Sequence, residues 1–369
     1  MDSVFHSHNA RTGEPLPGEI HEATPAQIDA ALKAAAAAFR PYRSTPAETR
    51  AAFLDRIAAL AEAAAEELVE LADQETALGR PRLPGELARA CNGARIFAKM
   101  LREGSWVDAK IDTAIPDRKP APKPDIRLMH RPIGPVVVFG ASNFPFAISV
   151  MGTDTVAALA VGCPVVVKAH PAHPHTCERL AAIVLEAAKE FGLPAGVFAM
   201  VQGRSHETGA ALVTHPLTEA VAFTGSLRGG RALCDLAAKR DRPIPVYAEM
   251  GSLNPVFLLP RALANHGEKI AEGFVGSLTL GTGQFCTNPA MVLARNGSDL
   301  DAFLQEAGRR VAAVAPASML HQGIHQAYAS GVAKIAALEN VTITAQASGA
   351  DPARGQASAV LFETASETY

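Results

Sequence analysis

The sequence has no surplus of one charge: 34 Lys and Arg stand against 37 Asp and Glu, a net of −3. That balance argues against a nucleic-acid-binding surface. It also has no run of about 18 apolar residues free of charges and breakers, so no transmembrane helix is expected. The N-terminus, Met1-Asp2-Ser3-Val4-Phe5-His6-Ser7-His8, lacks a basic stretch followed by an apolar one, so no secretory signal is expected. Among the five cysteines (Cys91, Cys163, Cys177, Cys234, Cys286) there is no Cys-x-x-Cys pair. An odd number without metal spacing suggests reduced thiols in a cytoplasmic enzyme. No internal repeat occurs. What is present is 369 residues, 48% hydrophobic and 19% charged, enough for a globular protein of about two or three domains.

The chain begins helically. Thr24 caps a helix over 24–39, with Pro25 in its first turn and Ile28, Leu32, Ala35 and Phe39 on one face. Residues 46–76 continue the helical pattern, and Leu83–Arg102 is a third helix. Three prolines in Asp112–Lys123, followed by Pro124, mark a connection leading into an extended segment, Asp125–Arg131. From Gly134 short apolar runs alternate with helical stretches. Strands are expected at Pro135–Phe139, Pro164–Lys168, Val197–Val201, Ala220–Phe223 and Val246–Glu249. Helices are expected at Phe146–Val161, Thr176–Phe191, His206–Thr214 and Leu227–Lys239. This is an α/β pattern, a doubly wound parallel sheet covered on both faces, and such sheets bind ligands at the carboxyl ends of their strands. A strand at Val256–Leu259, helices at Lys269–Leu280, 301–316 and 322–338, and a last thirty residues with no clear closing element complete the reading.

Several residues at or after strand ends carry chemistry. Cys286 lies in Gly281-Thr282-Gly283-Gln284-Phe285-Cys286-Thr287-Asn288-Pro289. A lone cysteine is most often a small core hydrophobe, but this polar, tightly turning surround also suits an open nucleophile. Glu249 ends an apolar strand, as a solvated end or as an acid/base. Asn143, in Gly140-Ala141-Ser142-Asn143-Phe144-Pro145, either caps a helix or donates its amide to an oxyanion. Lys168, closing Val165-Val166-Val167-Lys168, either snorkels or holds a ribose or phosphate. Gly225-Ser226 is a plain glycine-rich turn or a helix start that approaches a pyrophosphate. His170, His173 and His175 have irregular spacing in a Pro-rich loop and read as a surface turn rather than a metal site. A thiol hydrolase pairing Cys286 with a histidine is a competing reading; in sequence the nearest are His266 and His321.

Taken in order, Ser142-Asn143-Phe144-Pro145, Val165-Val166-Val167-Lys168, Phe223-Thr224-Gly225-Ser226, Glu249-Met250-Gly251 and Gly283-Gln284-Phe285-Cys286 resemble the aldehyde dehydrogenase superfamily from about residue 10 onward. Within it, Gly162-Cys163-Pro164 through Ala169-His170 and Cys286-Thr287-Asn288-Pro289 are similar to the α-ketoglutaric semialdehyde (2,5-dioxovalerate) dehydrogenases. Fatty aldehyde dehydrogenases share much of the pattern. The resemblance implies Cys286 as nucleophile, Asn143 and the Cys286 N–H as oxyanion donors, Glu249 as the base for deacylation, and no metal. It also implies cofactor contacts by Lys168, Gly225 and Ser226. NAD-preferring members commonly carry a glutamate three residues after the lysine; here that position is Pro171. The expectation is therefore NADP, with NAD possible, and His170, Arg204 and His206 near its 2′-phosphate. By the same resemblance residues 1–245 form the cofactor domain with an oligomerisation segment near 112–131, and 246–369 belong to the catalytic domain. A homodimer or homotetramer is expected of the full-length parent.

The chain departs from the family in one respect. No Glu-x-Phe-Gly-Pro segment follows the cysteine before Tyr369. A C-terminally truncated chain is expected, inactive or poorly soluble by itself because missing strands leave sheet edges and apolar core exposed; a chain that binds cofactor without turnover is a competing reading.

Overall fold

The structure, a computed structural model, describes residues 4–365. Met1–Ser3 of the leader reading and Ser366–Tyr369 of the terminal stretch lie outside the described residues. The described chain divides into two compact units, one of residues 4–5, 19–71 and 80–250, the other of residues 6–18, 72–79 and 251–365.

In the first unit, β1 (Val4–Phe5) pairs with β2 (Ile20–His21). Helix α1 (Pro25–Arg43) opens on a reciprocal capping box between Thr24 and Gln27 and buries Ile28, Leu32 and Ala35. The helical stretch expected over 46–76 is two helices, α2 (Ala47–Ala63) and α3 (Ala65–Thr76). The break is at Ala64, whose N–H turns back onto Leu60 and Glu62 carbonyls. Helix α4 (Leu83–Glu103) packs along α2. The extended segment is an antiparallel pair, β3 (Lys110–Asp112) with β4 (Ile126–Leu128), which exposes Ile111, Ile126 and Leu128.

The alternating region forms β5 (Val136–Phe139), α5 (Thr153–Val161), β6 (Val165–Lys168), α6 (Pro174–Glu190), β7 (Phe198–Val201), α7 (His206–Thr214), β8 (Ala220–Gly225), α8 (Leu227–Ala238) and β9 (Val246–Met250). The five strands are parallel in the order β7-β6-β5-β8-β9, the doubly wound sheet expected. Val137, Phe139, Val166 and Val221 meet α1, α7 and α8 on one face. The alternate residues Val136 and Val138 point to the other face, where α5 and α6 pack with α2 behind them.

One expected helix is much shorter. Residues 146–152 are turns rather than the first part of α5. The Glu86 carboxylate takes the Phe146 and Ala147 amides, and Ala141 N–H bonds Ile148 O, so this stretch folds back on β5. Gly152 then starts α5 where a Cβ would meet the Ala147 carbonyl at 2.6 Å.

In the second unit β10 (Pro255–Leu258) pairs in parallel with β11 (Met291–Ala294). Helix α9 (Pro260–Thr279) starts earlier than expected and is bent at a non-helical His266. Helix α10 (Ser298–Ala312) packs on α9 around Phe303, Ala307 and Val311. Strand β12 (Ala317–Ser318) precedes α11 (Gln322–Ala336) and pairs with β14 (Gln356–Ala357). The closing region is ordered, against expectation: β13 (Thr342–Gln346) pairs antiparallel with β15 (Val360–Glu363) around a shift in register. Among the described residues no helix is long and apolar enough to cross a membrane.

Candidate functional site

Four of the singled-out positions stand at carboxyl ends of one sheet. Asn143 follows β5, Lys168 closes β6, Gly225 closes β8, and Glu249 lies one residue from the end of β9, paired in register with Thr224. Glu249 is exposed.

The Asn143 turn is fixed by side chains distant in sequence. Arg82, the N-cap residue of α4, donates to the Asn143 carbonyl at 2.6 Å and pairs with Glu86 at 3.1 Å. Glu86, only 3% exposed, accepts from the amides of Phe146 at 2.9 Å and Ala147 at 3.2 Å. Burial pushes its carboxyl up, against those hydrogen bonds and the Arg82 charge, and burial also holds Arg82 below its ordinary value. On the far side, His173 Nε2 lies 2.8 Å from the Ala141 carbonyl and must be the donor there. Its Nδ1 is then the acceptor for the Cys177 thiol at 3.2 Å. His173 and Cys177 are fully buried. The histidine loop is therefore not a surface turn throughout: His173 is an internal tie, and His170 stacks on it at 5.5 Å. Among the described residues no group of three or more His, Cys, Asp or Glu is placed to hold a metal.

Lys168 is half-buried and donates to the Gly203 carbonyl. Burial lowers its amine from an ordinary 10.5 to about 8. Arg204 and His206 are exposed at the start of α7, where Ser205 caps the helix. Glu22 occupies the same helix start, accepting from Ser205 N–H at 2.8 Å and the Thr208 hydroxyl at 2.7 Å. Burial raises its carboxyl, but these bonds outweigh that and leave it lowered. Ser226 caps α8 by accepting from Gly229 N–H at 3.1 Å. Glycine is needed at 225 because a Cβ would lie 2.6 Å from the Phe223 ring. Asp154, in the first turn of α5, has its carboxyl raised by burial and then by the charge of Glu249.

Cys286 belongs to the second unit and is exposed, whereas Cys91, Cys163 and Cys177 are buried and Cys234 is half-buried. Its loop turns through positive φ at Gly281, Thr282 and Gly283. Asn254 donates to the Cys286 carbonyl at 2.7 Å and to the Asn288 carbonyl at 2.9 Å, and the Ser252 hydroxyl joins it on Cys286. Asn288 in turn donates to Leu278 O at 2.7 Å, and Gln284 accepts from Leu320 N–H at 3.0 Å. The backbone beneath the thiol is thus bound at several points.

Sequence reading missed Arg82, Glu86, His173 and Asn254 as supports. The Arg82/Glu86 spacing on a helix and the Asn254-Pro255 turn were the available signals.

The model of the aldehyde dehydrogenase family matches residues 2–361. An α-ketoglutaric semialdehyde dehydrogenase 2 of Azospirillum brasilense is 47% identical over 358 residues, 97% of this chain and 68% of that protein. An α-ketoglutaric semialdehyde dehydrogenase of Acinetobacter baylyi is 44% identical over 329 residues, 89% of this chain and 62% of that protein. The chain thus spans about two thirds of the length of these relatives. Among solved structures, an NAD-dependent benzaldehyde dehydrogenase from Corynebacterium glutamicum superposes with a TM-score of 0.78 at 25% identity, covering 94% of this chain and 72% of that one. The resemblance carried by the five ordered motifs is borne out, and with it the fold: the chain belongs to the aldehyde dehydrogenase family.

Proposed function

We propose that this chain takes part in NAD(P)-dependent oxidation of an aldehyde to a carboxylate, with α-ketoglutaric semialdehyde as substrate and 2-oxoglutarate as product. The observation that carries the reading is the exposed Cys286 on its tied loop, in a chain whose other cysteines are buried or half-buried. The Cys286 thiolate adds to the aldehyde carbon. The oxyanion is received by the Asn143 side-chain amide and the Cys286 backbone N–H; losing one such donor costs about 3 kcal/mol in barrier. NAD(P)+, when bound, supplies the hydride acceptor. Loss of hydride leaves a thioester on Cys286, and Glu249 takes a proton from the water that hydrolyses it. The product leaves as carboxylate and the thiol is restored.

The glycine-only packing at Gly225 and the capped start of α8 suit close approach of a pyrophosphate. Lys168 holds the adenosine ribose or its phosphate. Pro171 offers no carboxylate against a 2′-phosphate, and with His170, Arg204 and His206 this supports NADP, with NAD also accepted. The exposed isoleucines and leucine of β3 and β4 are read as an assembly surface for a homodimer or homotetramer, in the cytoplasm.

The test is a panel of α-ketoglutaric semialdehyde, glutaraldehyde and a long-chain aldehyde with each cofactor, followed at 340 nm, in the wild type and in Cys286→Ala. Turnover of the semialdehyde that vanishes in Cys286→Ala is expected. Turnover that persists in the variant overturns the mechanism. Binding of NADP without turnover in the wild type would favour a cofactor-binding protein instead.

A further inference from the structure

Two guanidinium groups lie on the Phe144 ring, one residue past Asn143. Arg82, at the N-cap of α4, is 4.8 Å and Arg89, about two turns into the helix, is 5.3 Å from its centroid. Their situations differ. Arg82 is committed to Glu86 and to the Asn143 carbonyl. Arg89 is exposed, and among the described residues it makes no ion pair and no hydrogen bond. The acid on the same helix, Glu86, is already engaged by Arg82 and two amides. Burial, and to a smaller extent the charge of Arg89, lower Arg82.

A guanidinium with one face on an aromatic ring and its five donors unused is matched to a carboxylate, which it grips with two parallel bonds. Its place beside the Asn143 turn fixes which carboxylate. We propose that Arg89 binds the carboxylate at the far end of the substrate and so selects aldehydes that are also acids over neutral aldehydes. This rests on the reading of Asn143 as the group that faces the aldehyde oxygen. With the aldehyde oxygen at Asn143, the acid lies at Arg89, whose guanidinium is seated on the neighbouring buried ring of Phe144.

The experiment compares the wild type, Arg89→Met and Arg89→Lys in the full chain. Steady-state rates are measured with α-ketoglutaric semialdehyde and with pentanal, and 2-oxoglutarate is titrated by calorimetry, which needs no turnover. In Arg89→Met the preference for the semialdehyde over pentanal, as a ratio of kcat/KM, is expected to fall about 10–100-fold, the range for one charge-assisted contact. The loss should appear in KM rather than kcat, the 2-oxoglutarate Kd should rise to a similar extent, and Arg89→Lys should recover part of both. An unchanged preference and an unchanged 2-oxoglutarate affinity in Arg89→Met, with a wild type that shows both, overturn the role of Arg89 alone. A wild type that neither prefers the acid aldehyde nor binds 2-oxoglutarate overturns the substrate reading itself.

Discussion

Replacing Glu86 by alanine tests how the Asn143 turn is held. Its carboxylate is 3% exposed and serves three donors: the Phe146 amide, the Ala147 amide and Arg82. Alanine leaves two buried N–H groups without an acceptor, each costing about 1–3 kcal/mol. It also strips a half-buried guanidinium of its partner, and breaking a buried pair typically costs about 3–5 kcal/mol. The losses share one site and are not additive, so a destabilisation of about 4–6 kcal/mol is expected for Glu86→Ala. Glu86→Gln keeps the accepting oxygen and both amide bonds and should lose only about 1–2 kcal/mol. The gap between wild type and Glu86→Gln also has a pH dependence. Burial raises this carboxyl in the folded chain, so the folded state binds its proton more readily than the unfolded state. The contribution of Glu86 is therefore largest at and below the ordinary carboxylate range and declines as pH rises through the raised value. The gap should narrow in the same direction. Urea unfolding followed by far-UV circular dichroism, at about pH 5 and about pH 8, measures all of this. A loss of less than about 1 kcal/mol in Glu86→Ala, the scale of a surface ion pair, would refute the argument.

Two further outcomes are expected. Because burial holds Lys168 at about 8 against an ordinary 10.5, the cost of burying its charge is full below pH 8 and is relieved as pH rises from there towards 10.5. Thermal melts should show the wild type gaining on Lys168→Met across that window, and NADP affinity of the wild type should weaken above pH 8; a flat difference between the two proteins would contradict this. Limiting iodoacetamide should alkylate Cys286 first, because it is exposed, while burial closes off Cys163 and Cys177 and lifts the Cys91 thiol to about 11. Peptide mass spectrometry that found Cys177 labelled before Cys286 would sink the assignment of the open thiol.

What the sequence made legible follows from local chemistry. Val136–Phe139 and Val165–Lys168 are short and wholly apolar before their ends, so burial on both faces could be read from them directly. The capping box of Thr24 and Gln27 marked α1 in the same way. The failures are tertiary. Phe146–Gly152 has the composition of a helix, and a carboxylate from another helix, Glu86, claims its amides instead. His173 looked like loop surface because its partners, Ala141 and Cys177, are set by the sheet and the following helix. Strands β13 (Thr-Ile-Thr-Ala-Gln) and β15 (Val-Leu-Phe-Glu) are short segments in a Ser-, Thr- and Ala-rich stretch, and their pairing comes from each other. The positions proposed to react stand out as types of residue in motifs; Arg82, Glu86, His173 and Asn254, which tie the backbone around them, lie outside the five ordered motifs.

The strand order also says in what sequence the carboxyl edge of the sheet can come into being. Val136 meets Val165, and Val165 meets Phe198, each across a single connecting helix. Val136 meets Ala220 only after the chain has run out through β6, α6 and β7 and returned through α7. Closing that excursion costs more chain entropy than either local step, and such long-range parallel pairing is slow. The seam between β5 and β8 is where the chain reverses its winding direction, and it separates the turn that carries Asn143 from the turn that carries Gly225. The two turns proposed to flank the cofactor are therefore joined by one of the costliest contacts of the sheet. A bound dinucleotide spanning that seam would act as a late fastener of the folding chain as well as a reactant.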